Sequence, residues 1–207
     1  ILVLIPIISL FIGFIFNEDL STGGSRYDFN ITWPLIIDYS NFNFLDARLD
    51  NGAEPRHLPL HYMLLATIYK LFNDQNFVRI IYLLFSLLMP LFLYLNLIKI
   101  YNNKNKLILI LSFSFLFFPF FRSSAIWPNA HLTALIFFLI SNFFYLKILG
   151  QNKFFNKAMS LFFLALATYT LQTYVIFFAF YLFKYLKFET KKNFFKLFVL
   201  CVFLSIP

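Results

Sequence analysis

FVRIIYLLFSLLMPLFLYLNLI, residues 77–98, decides the fold. A run this long and this apolar fits a helix that crosses a bilayer, and a barrel strand needs neither its length nor its unbroken hydrophobicity. Working outward, comparable runs occupy residues 1–16, 107–121, 131–149, 158–186 and 194 onward. With 61% hydrophobic and 13% charged residues among 207, the chain holds more apolar surface than a water-soluble domain of this size could bury. The expectation is an all-α, polytopic transmembrane helical bundle. It forms a single membrane domain over residues 1–207, placed as a multi-pass protein in the cytoplasmic membrane. The chain opens on Ile1 inside one apolar run and stops at Pro207 inside another, which reads as the N-terminal part of a longer protein. Residues 1–16 carry no basic leader and no small-residue cleavage site, so they read as a retained first span.

The net charge of +8 is informative by its placement. Lys99, Lys104 and Lys106 form one short link, Lys147, Lys153 and Lys157 a second, and Lys184, Lys187, Lys191, Lys192 and Lys196 a third. Short Lys-rich links mark the cytosolic side. The positive balance is therefore an orientation signal, and no nucleic-acid partner is expected. Eight of the nine carboxylates lie between Glu18 and Asp74, inside the segment 17–76, which this rule places outside the cytosol as one long loop. The single Cys201 excludes an internal disulfide. The 33 Phe reflect A/T-rich codons and lipid-facing packing rather than a binding surface.

From residue 77 the chain returns to Lys99, goes out over 107–121, turns in a short outer loop over 122–130 and comes back over 131–149. Residues 158–186 have Lys at both flanks, so a single crossing conflicts with the charge rule. A polar centre at Thr168, Thr170, Gln172 and Thr173 points to two half-length helices meeting at an apex, against the alternative of one tilted span. Within the outer loop, a Gly-rich start at 21–25 precedes a short interfacial helix. This helix is capped at Thr32, with Pro34 in its first turn and Trp33, Ile36, Ile37 and Ser40 at helical spacing. A second helix over 59–72 lies on or dips into the outer leaflet and closes at Asn73 to Asn76.

Five Gly and no GxxxxGK, GxGxxG, GxSxG or HExxH arrangement argue against an ATPase, a dinucleotide site or a soluble-style hydrolase. What chemistry the residues permit gathers outside the cytosol. It comprises Asp28 in GGSRYDF, EPRHLPLHY over 54–62, RSSAIWPNAH over 122–131 and the polar centre at 170–173. A first span, an early acid, an interfacial helix, and Leu58, Pro59, Leu60, His61 and Tyr62 opening a second helix resemble the GT-C membrane glycosyltransferases. The likeness is to the protein O-mannosyltransferase and lipid A aminoarabinose transferase group. Residues 76–94 and Leu171, Gln172 and Thr173 are similar to the dolichyl-phosphate-glucose glucosyltransferase branch. Two positions depart from the pattern, since Asp28 is followed by Phe29 where the group has a second acid, and Leu58 stands for its first Pro.

The resemblance implies transfer of a sugar from a polyprenyl-phosphate donor to a glycan, lipid or protein acceptor outside the cytosol. Asp28 would be the general base, with Glu18 and Asp19 as understudies. Arg56, His61, Tyr62, Arg122 and Gln172 would bind substrate, the two Arg through their bidentate fork for phosphate. No cofactor is expected. A divalent metal is left open by His57, His61 and His131, with Glu54 as the one nearby carboxylate. The competing readings are a lipid or polysaccharide transporter, which would place charges near the bilayer midplane, and a noncatalytic scaffold subunit.

Overall fold

The computed structural model describes residues 2–43, 58–102, 105–148, 154–188 and 191–204. It is all-helical, with 86% helix and no strand among the described residues. The elements are α1 (Leu4–Ile15), α2 (Gly24–Ser40), α3 (Leu60–Phe72), α4 (Gln75–Ser86), α5 (Leu88–Tyr101), α6 (Lys106–Ser114), α7 (Pro119–Ile126), α8 (Ala130–Ile148), α9 (Phe154–Thr170), α10 (Ile176–Phe188) and α11 (Lys191–Leu204). Short 3-10 turns occupy Phe115–Phe117 and Gln172–Val175.

Among the described residues, two helices are long and apolar enough to cross a membrane. One is Gln75–Tyr101, which joins α4 and α5 over 27 residues, and the other is α8, Ala130–Ile148. A third span would be the bent pair Lys106–Phe117 and Pro119–Ile126, whose arms differ in direction by 67°. In the long helix the joint falls at Leu87 because Pro90 has no N–H to give the Ser86 carbonyl four residues back. Phe118 is extended (φ −67°, ψ 128°), as a residue preceding proline must be, and Pro119 then opens α7 with a preset φ. The expected outer loop at 122–130 is therefore mostly helix. Its residues Phe121 through Ile126 are all buried.

The segment 17–76 is likewise more than a loop. Its helices α2 and α3 pack on each other, and Phe29, Ile36, Tyr62, Leu65 and Ala66 enter the main core beside Val78, Tyr82, Leu132 and Ile136. α2 begins nine residues earlier than the Thr32 cap would place it. Gly23 turns the chain at φ 85°, and the Ser21 hydroxyl and Asp19 carboxylate accept the Ser25 and Arg26 amides that open the helix. Thr32 bonds back to the Asp28 carbonyl instead of capping, and Pro34 lies inside the helix.

α4–α5 and α8 run in the same direction. The pair is pinned by Tyr82 to Thr133 at one end and by the Asn96 amide donating to the Leu139 carbonyl further along. The break expected near Gln172 is present. α9 ends at Thr170, Leu171 is extended (φ −144°, ψ 110°), and α10 returns so that Tyr185 meets Ser160, hydroxyl to hydroxyl at 2.6 Å. Tyr174 and Phe177, just past the turn, pack on Phe138 near the middle of α8, with ring centroids 5.2 and 4.5 Å apart. α9 runs back along α8, with the Ser141 hydroxyl donating to the Ser160 carbonyl at 2.6 Å, so the apex beyond Thr170 lies past the middle of α8, toward its start.

Candidate functional site

α1 ends in a motif that fixes everything after it. Asn17 adopts the left-handed conformation (φ 51°). Its amide donates to the Phe14 carbonyl at 3.0 Å, and the Glu18 amide donates to the Gly13 carbonyl at 2.8 Å. That is the paired hydrogen-bond pattern of a Schellman cap, with Asn in the position that tolerates positive φ. The cap turns the chain back on α1 and aims the Glu18 side chain at Arg122 of α7.

The Glu18–Arg122 pair is a two-pronged fork. Arg122 Nε meets Oε1 at 2.5 Å and Nη2 meets Oε2 at 2.7 Å, while Arg122 Nη1 and Nη2 also donate to the Ser9 hydroxyl and carbonyl, both at 3.0 Å. The side chains are 8% and 23% exposed, so the charges are held together with little help from water. Two more bonds seat the loop on α7 and its end: the Leu20 amide donates to Ser123 Oγ at 2.7 Å, and Trp127 Nε1 donates to the Glu18 carbonyl at 3.1 Å. Arg122 is thus engaged by an acid 104 residues earlier in the chain.

Asp19 is the half-buried neighbour of this pair. Its Oδ1 accepts the Ser21 amide and hydroxyl, and its Oδ2 accepts the Arg26 amide at 2.8 Å. Burial alone would raise its carboxyl, but the Ser21 hydroxyl, the Arg26 and Ser21 amides and Ser123 together hold it below the ordinary aspartate value.

Arg79, in the first turns of α4, is only 4% exposed. Its Nε donates to the Ile126 carbonyl at 3.2 Å, Nη1 to Asn76 Oδ1 at 3.3 Å and Nη2 to Asn17 Oδ1 at 2.9 Å. Its guanidinium carbon lies 3.6 Å from the centre of the Trp127 ring, and that of Arg26 lies 5.3 Å from the same ring. One turn deeper, Tyr82 bonds the Asn129 carbonyl at 2.8 Å and Thr133 Oγ1 at 2.9 Å, and Thr133 also meets His61 Nδ1 at 2.9 Å.

The expected site residues divide accordingly. Arg122 belongs to the polar cluster just described. His61 and Tyr62 are each 3% exposed and lie in the core, His61 in the Thr133–Tyr82 network and Tyr62 edge-on to its ring, 5.4 Å between centroids. Asp28 is exposed on α2, and Gln172 is exposed at the apex of the α9–α10 hairpin. Arg56, with Glu54 and His57, lies outside the described residues. Among the described residues, no three His, Cys, Asp or Glu side chains gather into a metal-holding group. What the sequence reading missed is Arg79 and the fastening of Glu18 and Asp19. Arg79 had a legible signal, a lone cation in an otherwise apolar run.

Compared with protein-family models, curated proteins and solved structures, the chain matches none of them.

Proposed function

We propose that this chain is a multi-pass membrane glycosyltransferase of the GT-C type. In this reading it moves a sugar from a polyprenyl-phosphate donor to a glycan, lipid or protein acceptor on the extracytosolic side. The observation that carries the reading is the separation of charge between the two ends of the helices. Glu18, Asp19, Arg26, Arg79 and Arg122 share the end where α4 begins and α1 stops. Lys99, Lys106, Lys147 and Lys157 belong to the opposite helix ends. With the lysine end in the cytosol, an acid and several guanidiniums cluster at the outer surface. Nucleotide sugars are cytosolic, so an activated sugar reaching that surface arrives attached to a lipid.

Asp19 is the general base of this reading. Its carboxylate is ionised at neutral pH, is oriented by fixed donors and is still half-open to an acceptor hydroxyl. Asp28, the acid favoured by motif likeness, is exposed on α2, and no comparable set of donors orients its carboxylate among the described residues. Glu18 is committed to Arg122 and positions the loop. The α9–α10 apex, with Gln172 and Thr173 exposed, adds polar groups past the middle of α8, toward its start.

The test is sugar transfer by membranes containing the protein, supplied with radiolabelled polyprenyl-phosphate sugars and compared across Asp19→Asn and Asp28→Asn. Asp19→Asn is expected to lose about 100-fold or more of the rate per folded molecule, while Asp28→Asn retains it. Loss in Asp28→Asn alone returns the role to Asp28. Absence of transfer from every polyprenyl-phosphate sugar rejects the transferase reading.

A further inference from the structure

A guanidinium buried to 4% exposure needs its charge balanced. Arg79 bonds three acceptors, and all are neutral: the Ile126 carbonyl and the Asn76 and Asn17 amide oxygens. The second guanidinium, Arg26, lies over the same Trp127 ring. The two carbons are therefore no farther apart than their two distances to that ring combined. No carboxylate pairs with either arginine among the described residues, for the one ion pair there joins Glu18 to Arg122.

Two like charges converging on one indole, the deeper one without a counter-charge, form a site that is incomplete as it stands. We propose that Arg79 and Arg26, with Trp127, Asn17 and Asn76, bind a phosphate group. Three of the five N–H groups of Arg79 are used by its neutral partners, which leaves two to donate. Asn17 and Asn76 each spend the amide oxygen on Arg79, and both residues are exposed. Arg26 is exposed beside the same ring. Trp127 holds both cations through its ring face while its Nε1 is tied to the Glu18 carbonyl. The group bound is a phosphate monoester or diester, free or at the head of a lipid, since the arginines sit where α4 begins and α1 ends.

The inference stands apart from sugar transfer, because binding is read with no sugar and no acceptor present. The chain has two Trp, so Trp33→Phe leaves Trp127 as the sole tryptophan, near both arginines. The purified Trp33→Phe protein in nanodiscs is titrated with inorganic phosphate and, separately, with dodecyl phosphate, at constant ionic strength set by chloride. A saturable change in emission is expected. It should weaken about tenfold or more in Arg26→Gln, a rim substitution that leaves the core intact, and vanish in Arg79→Gln. Equal affinity for the two probes assigns a free phosphate group, and tighter binding of dodecyl phosphate assigns a lipid headgroup; both support the site. No saturable change with either probe overturns it, as does a change that Arg26→Gln leaves untouched.

Discussion

Replacing Gly13 with Ala tests the keystone of the outer end. A methyl at that position would come within 2.6 Å of Arg122 Nη2 and 2.7 Å of Glu18 Oε2, against the roughly 3.5 Å at which carbon makes favourable contact. The charged heads must therefore retreat by close to 1 Å, and bonds of 2.5 and 2.7 Å do not survive such a move. Breaking a mostly buried pair costs about 3 kcal/mol, the low end for such pairs because Glu18 is partly exposed. Ala in place of Gly inside a helix returns about 1 kcal/mol. A net loss of about 2 kcal/mol is expected for Gly13→Ala. Trp127 emission reports it, because the indole is bonded to the Glu18 carbonyl, as the protein unfolds in mixed micelles of rising SDS fraction. Gly24→Ala is the control, since its nearest neighbour would be Ser21 Oγ at 3.7 Å, an ordinary contact. A double-mutant cycle decides the cause. In Glu18→Ala/Arg122→Ala the space is empty, so Gly13→Ala should cost nothing there. An equal cost in both backgrounds, or no cost in wild type, refutes the reasoning.

Three further outcomes follow from the same geometry. Arg122→Lys replaces a fork by a point charge and abandons Ser9, so it should lower stability by about 1–2 kcal/mol in the same micelle titration. Thr133→Val keeps the shape but strips the shared partner from His61 Nδ1 and Tyr82 in the core, with an expected cost of about 1–3 kcal/mol. Asp19 has a folded-state pKa below its ordinary 3.8. The stability it contributes is therefore full above that ordinary value and is lost as pH falls through the lower, folded one. Asp19→Asn should remove that acid-limb dependence and lower stability at neutral pH, and an unchanged acid limb would contradict the hydrogen-bond account.

The helices that could cross a membrane were legible because their signal is local. Residues 77–98 and 131–149 need no partner to declare themselves apolar, and the polar centre at 168–173 announced a break that the extended Leu171 supplies. Helix ends were harder. Pro119 converts an expected outer loop into a bent, buried helix, and Gly23 with Asp19 and Ser21 starts α2 well before Thr32. The site was the least legible part, for a physical reason. Glu18 and Arg122 are 104 positions apart, Arg79 and Asn17 are 62 apart, and nothing in either neighbourhood names its partner. Arg122 read as a phosphate ligand because an arginine at an interface carries no mark of being already paired. His61 read as a ligand for the same reason, whereas its ring lies buried against Thr133.

The claim on which the account turns is that the arginine end faces outward and the lysine end faces the cytosol. Arg26 and Arg79 share Trp127 near the start of the 27-residue helix. Tyr27, next to Arg26, is 66% exposed, and Tyr101, at the far end of that helix, is 67% exposed. The two ends of the helix are about 40 Å apart at 1.5 Å per residue. In a Cys201→Ala background, Tyr27→Cys and Tyr101→Cys are each treated with a membrane-impermeant maleimide, before and after permeabilisation of the cells. The account predicts that Tyr27→Cys is labelled in intact cells and Tyr101→Cys only after permeabilisation. The reverse pattern, or identical labelling of the two, would contradict it.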